Sequence, residues 1–171
     1  MTKMLNISIV PVNKDEKEIL KNLSEKYHYE FSQYNEMDIN ELGLYGYDCL
    51  DCYWTEPKLF SYFIIVDGKL AGFAVINDIP TVKMEIDYYL ADFSVMYKYR
   101  RLGVGKYAVK YLFDMYKGKW QLIYHPKNET SKHFWQNVVS EYTKGKYELI
   151  TDSVEARLED GVIRHVMVFE T

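Results

Sequence analysis

Hydrophobic and polar positions follow two periods along this chain, and the switches between them outline its elements. Residues 7–12 alternate as a strand, and Asn13 with Glu16 three positions on is a capping-box signal for a helix. Ile19, Leu20, Leu23 and Tyr27 carry that helix's apolar spacing. From 31 to 56 the period fades into Gly-, Asp- and Tyr-rich sequence, where a short helix near 37–44 is predicted within long loops. Residues 60–66 and 70–76 flank Asp67-Gly68, a strong hairpin signal, and 84–95 reads as the next strand. Val104, Tyr107, Ala108, Tyr111, Leu112 and Met115 then fall on one face of a helix, with Gly118 as its C-cap candidate. A strand over 120–124 stops at Pro126, and Asn128 can cap a helix whose apolar residues are Phe134, Trp135, Val138 and Val139. Residues 147–151 and 162–169 read as closing strands.

The predicted order, β α (α) β β β α β α β β, makes a mixed α/β sheet with helices on its faces. Two hairpin-connected strands precede the Gly103/Gly105 turn, which excludes a doubly wound dinucleotide fold. At 171 residues, with neither repeat nor linker, the chain reads as one domain over 1–171. Its net charge of −4 argues against a general nucleic-acid binder or a membrane-surface protein. Neither a signal peptide nor a run of the ~20 apolar residues a membrane span needs is present, so a cytoplasmic protein is expected. Cys49 and Cys52 form one C-x-x-C, and the histidines show no zinc-ligand spacing. Two reduced thiols and no metal are expected.

The richest chemistry lies in Tyr99-Arg100-Arg101-Leu102-Gly103-Val104-Gly105-Lys106. A strand, a glycine turn and a helix N-terminus form an anion cradle of backbone N–H groups, favoured by the helix dipole. Arg100 and Arg101 add guanidinium forks suited to phosphate oxygens. A glycine turn serving only tight strand–helix packing is the competing reading.

Arg100-x-x-Gly103-x-Gly105, with Gly103 eight residues after Val95, followed by Asn128-x-x-Ser131-x-x-Phe134-Trp135, resembles the GNAT superfamily of acetyl-CoA-dependent N-acetyltransferases. The order of strands and helices agrees over nearly the whole chain, best over its C-terminal two thirds. The resemblance implies a GNAT-like acyl-CoA N-acyltransferase fold, with a mostly antiparallel central sheet and helices on both faces. It implies that the N–H groups of Arg101, Leu102, Gly103, Val104, Gly105 and Lys106 hold the pyrophosphate of acetyl-CoA. Phe93, Ser94 and Val95 would pair with the pantetheine amides, and Asn128 would hydrogen-bond the same arm. Ser131 and Trp135 complete the implied cofactor-binding set.

Acetyl transfer to a primary amine requires that an ammonium of pKa near ~10 lose its proton, that an oxyanion meet a donor, and that a thiolate leave. Asp92, three residues before Val95, stands where a carboxylate is common in the superfamily and is the candidate base. Strand alternation puts it on the face of Leu90 and Ser94 unless a bulge intervenes. A carboxylate merely satisfied by hydrogen bonds at a strand end is the alternative. Glu85 and Asp87 are expected to be solvated or substrate-facing. The position where many members carry a tyrosine acid, seven residues after Asn128, is Trp135 here, which leaves Tyr124 and Tyr142 as candidates.

Residues 27–57 hold Glu30, Glu36, Asp38, Glu41, Asp48, Asp51 and Glu56, interleaved with tyrosines and lacking Lys or Arg. Such a lining suits a cationic acceptor, so a small polycationic amine or a basic peptide is expected. A coenzyme-A-binding module without turnover is the alternative function. The closing strands and many aromatics are compatible with a homodimer.

Overall fold

The computed structural model describes residues 4–46 and 50–171. Seven strands, β1 (Ile7–Pro11), β2 (Phe60–Val66), β3 (Lys69–Asn77), β4 (Tyr88–Val95), β5 (Lys119–Tyr124), β6 (Tyr147–Ile150) and β7 (His165–Glu170), form one sheet in the order β1-β2-β3-β4-β5-β7-β6. Neighbours run antiparallel except β4 and β5, which run parallel. Three helices pack on it: α1 (Lys17–Asn35), α2 (Val104–Met115) and α3 (Glu129–Thr143).

Strand alternation decides which helix covers which face. Ala74 and Ile76 of β3, with Met167 and Phe169 of β7, meet the apolar stripes of α2 and α3 around Phe113 and Trp120. Phe63, Phe73 and Val75 point the other way, onto Leu20 and Leu23 of α1. Val166 and Val168 continue that second face against Val82 and Ala156. No helix among the described residues is long and apolar enough to cross a membrane.

The Asp67-Gly68 turn has φ 49° and 73°, the left-handed pair that a two-residue hairpin of this hand requires. Glu16 accepts from the Asn13 N–H at 2.9 Å, as the capping signal predicts. Other boundaries move. α1 runs on to Asn35, and the predicted helix near 37–44 is absent, because Asn40 Oδ1 accepts from the N–H groups of Leu42 and Leu44 and holds a turn instead. β4 begins at Tyr88 rather than 84, and β7 at His165 rather than 162. Gly118 is not the cap of α2, which ends at Tyr116; at φ 148° it lies against Asp87. Asp87 is exposed, as expected, and also accepts from the Lys119 N–H at 2.8 Å, which pins the start of β5. Cys52, in the short 3-10 turn Leu50–Trp54, is disulfide-bonded, which corrects the expectation of reduced thiols; Cys49 lies outside the described residues.

A buried polar cluster joins the C-terminal half of the sheet to α1. Arg164 donates to both oxygens of Asp160 at 3.1 and 2.6 Å, and to Asn35 Oδ1 at 3.1 Å. Arg164 holds the Asp160 carboxyl below its ordinary value. Nearby, burial pushes the His125 and His165 imidazoles below theirs. His125 Nδ1 accepts from the Lys127 N–H at 3.0 Å, which fits a neutral ring. All three groups bind protons more weakly folded than unfolded, so each contributes stability above its ordinary pKa that is lost on acidification. The urea midpoint is therefore expected to fall between about pH 7.5 and about pH 5.5, the imidazole window, and again below about pH 4. A flat profile across the first window would contradict the burial of the two histidines.

Candidate active site

β4 and β5 pair only at Tyr88↔Trp120, Tyr89↔Gln121 and Leu90↔Leu122, and then part. Beyond that point β4 continues bonded to β3 alone and β5 to β7 alone. The parting coincides with a bulge in β4: Ile76 faces Leu90 but Val75 faces Asp92, leaving Ala91 as the extra residue. A cleft of about 630 Å³ fills the resulting wedge, running from the glycine turn past Phe93 and Ser94 to the side of α1.

The bulge resets which side chains face which way. Leu90, Phe93 and Val95 pack on the α2/α3 side, whereas Ala91 packs with the α1 cluster and Asp92 turns toward α1, where its carboxylate acts on the Tyr27 phenol. Asp92 therefore does not share the face of Leu90, as regular alternation would have it. Tyr27 lines the cleft, and burial together with the Asp92 carboxylate pushes its phenol well above the ordinary tyrosine range.

At the other end, the turn before α2 is built for an anion. Arg101 has φ 60° and Gly103 φ 81°, two left-handed residues that fold the turn back on itself. No described residue accepts a hydrogen bond from the N–H groups of residues 101–106; the helix ladder begins with Tyr107 donating to the Gly103 carbonyl at 3.0 Å. Leu102 exposes its side chain and Val104 buries its own in the core, so their place in the cradle is through the backbone alone. Space around Gly103 is open, but a Cβ on Gly105 would stand 3.2 Å from the Phe134 ring. The first glycine thus serves the turn and the second the close approach of α3, so the packing reading holds for Gly105.

The two arginines part company. Arg100 sends two N–H groups to the two oxygens of Glu30 at 2.7 and 2.6 Å and its Nε–H to the Val95 carbonyl at 2.6 Å, with its guanidinium 4.0 Å above the Tyr97 ring. The guanidinium expected to meet phosphate is therefore an internal strut between α1 and the turn. Arg101 and Lys106 also line the cleft. Lys106 pairs with Glu141, which Lys106 and Lys110 together pull down to about 2.

On the far wall, Asn128 caps α3 by accepting from the Ser131 N–H at 3.0 Å, which orients its amide while leaving the Nδ2 group for a ligand carbonyl. Ser131 and Trp135 line the same wall, Trp135 set edge-on against Phe93 at 5.3 Å. Tyr124, at the end of β5, lines the cleft and accepts from Gln136 Nε2 at 2.9 Å. Burial raises its phenol, so it stays protonated and can donate. Tyr142 does not line the cleft; it is bonded to Asp114 and Lys117 at 2.6 Å each, which removes it as an acid candidate. Tyr97 and Gln136 were invisible as partners from sequence, since neither belongs to a motif.

Two acidic residues of the 27–57 stretch are spent on structure. Glu30 is taken by Arg100, and Asp51 pairs with Lys17 at 3.0 Å. Glu36, Asp38, Glu41 and Glu56 lie off the cleft wall, and Asp48 is outside the described residues.

The Acetyltransferase (GNAT) family model matches residues 18–138. An acetyltransferase of Thermus thermophilus superposes with TM-score 0.68 at 13% identity, covering 97% of each chain. A GNAT-family acetyltransferase of Streptococcus agalactiae gives TM-score 0.68 at 16% identity over 96% of this chain and 95% of its own. The PaiA N-acetyltransferase of Thermoplasma acidophilum, solved in complex with coenzyme A, gives 0.64 at 12% identity over 97% and 99%. No curated protein sequence matches. At these identities the superpositions establish the fold, and the family match spans more than half of the sequence: the chain belongs to the GNAT acetyltransferase family.

Proposed function

We propose that this protein transfers the acetyl group of acetyl-CoA directly to a primary amine within a ternary complex. The observation that carries this reading is the run of unpartnered N–H groups over 101–106, opening onto a cleft whose other edge is the unpaired side of Phe93, Ser94 and Val95. These groups suit a pyrophosphate and an amide-bearing arm respectively, and the Asn128 Nδ2 adds a donor for the same arm.

For the amine's proton, Tyr27 and Asp92 act as a pair. The Tyr27 oxygen, on the cleft wall, receives the ammonium proton while the Tyr27 hydroxyl proton passes to the neighbouring Asp92 carboxylate, whose charge raises the phenol. Tyr124, held by Gln136, donates a hydrogen bond to the departing thiolate in place of the tyrosine that Trp135 replaces. Asp92→Asn and Tyr27→Phe should each lower kcat by about 10²-fold or more, with the KM for acetyl-CoA essentially unchanged. Unaltered kcat in either variant would remove that residue from the relay.

Calorimetric titration with coenzyme A, with ATP as control, tests the cradle. Thiol release with a panel of amines tests turnover. Because Trp135 stands at the tyrosine position, a coenzyme-A-binding module is the second reading; tight binding of coenzyme A with no thiol release from any amine would establish it.

A further inference from the structure

The acceptor end of the cleft is walled by α1, and its chemistry is aromatic rather than anionic. Tyr27 and Phe31 lie tilted against each other along the helix with ring centroids 4.4 Å apart, and Tyr34 continues the row edge-on at 6.4 Å from Phe31. All three line the cleft. Tyr34 in turn lies parallel to the His125 ring at 5.5 Å, which extends the row to the end of β5. This spacing follows from the sequence: positions 27, 31 and 34 are i, i+4 and i+7 on one helical face.

Charge within the cleft points the same way. Among the described residues, Glu30 is the acidic residue of the cleft's wall, and Arg100 occupies both of its oxygens. Asp92 acts on the Tyr27 phenol and does not itself line that wall. Arg101 and Lys106 lie at the glycine-turn end of the cleft, and Lys106 is paired with Glu141. Among the described residues, the acceptor wall offers several ammonium groups no carboxylate other than the one Arg100 already holds.

Resting on the acetyltransferase reading, we infer that the acceptor is an arylalkylamine, a primary amine a few bonds from a flat aromatic group that lies along the Tyr27–Phe31–Tyr34 row. This replaces the polycationic acceptor that the acidic composition of residues 27–57 suggests. An aromatic group on such a row gains offset or edge contacts with successive rings beyond its area burial. The amine then projects toward the wedge where Tyr27 meets Asp92.

The test is calorimetric titration of 2-phenylethylamine, tryptamine and spermidine into the protein saturated with coenzyme A, which needs no turnover. The arylalkylamines should bind at least about tenfold more tightly than spermidine. Equal or tighter binding of spermidine, or no arylalkylamine binding, overturns the inference. Tyr34→Leu should weaken tryptamine about 5- to 10-fold and Tyr34→Phe should not, while neither alters coenzyme A affinity. If coenzyme A fails to bind at all, the acetyltransferase reading itself falls. Arylalkylamine binding without thiol release sinks turnover and leaves the specificity of the wall standing.

Discussion

Replacing Gly72 by alanine should destabilise the fold by about 3 kcal/mol or more and abolish coenzyme A binding with it. Gly72 of β3 lies opposite Val95 of β4, and a Cβ there would sit 2.1 Å from the Ser94 carbonyl oxygen and 3.1 Å from the Val95 Cα. Both are backbone atoms and cannot swing aside, so β3 and β4 would have to separate. The strands would part at the very residues, Ser94 and Val95, whose other edge faces the cleft. For a chain of this size the loss corresponds to a fall in Tm of roughly 6–12 °C. Gly68→Asn is the contrasting control. Gly68 has φ 73° with no atom within 4 Å of a Cβ, and asparagine tolerates the left-handed region, so the cost should stay under about 1 kcal/mol. Thermal melts of the two variants, with coenzyme A titrations, check both arms. A Gly72→Ala protein as stable as the parent would show that the strands there are not so tightly apposed.

The contrast between Gly72 and Gly103 shows what a single sequence can convey. Gly103 is legible, because a glycine between a strand and a helix with arginines before it points to a cradle, and its left-handed φ follows. Gly72 sits inside an apolar run and reads only as part of a strand; its necessity arises from a neighbour more than twenty residues on. The same division runs through the site. Asn128, Phe93, Ser94 and Trp135 are implied by the family resemblance of the motifs around them, and they line the cleft. The bulge at Ala91, which moves Asp92 to the side of Tyr27, depends on the register of β3 against β4 and leaves no local mark. The aromatic row on α1 is periodic in sequence, but acidic residues lie between its members, and composition alone does not separate the two faces. What sequence could not show is that Glu30 has a partner seventy positions away.

That partnership gives the sharpest test of the turn. If the Arg100 side chain were a phosphate ligand, Glu30→Gln would release it and strengthen coenzyme A binding, while Arg100→Met would weaken it. If Arg100 is instead a strut holding the turn to α1 and to the Val95 carbonyl, both substitutions loosen the turn and both weaken binding. The second outcome is expected. The pair is bidentate and about three-quarters shielded, with side-chain exposures of 28% and 23%, so it lies between surface pairs worth little and buried ones whose breaking costs several kcal/mol. Arg100→Met should therefore cost about 2 kcal/mol of stability, since it strands the Glu30 carboxylate and the Val95 carbonyl, and Glu30→Gln about 1 kcal/mol. In the double variant, Glu30→Gln with Arg100→Met, the losses should fall short of their sum by about 1 kcal/mol, the signature of a direct interaction. Additive losses, or tighter coenzyme A binding by Glu30→Gln, would return Arg100 to the phosphate and leave α1 without its tie to the turn.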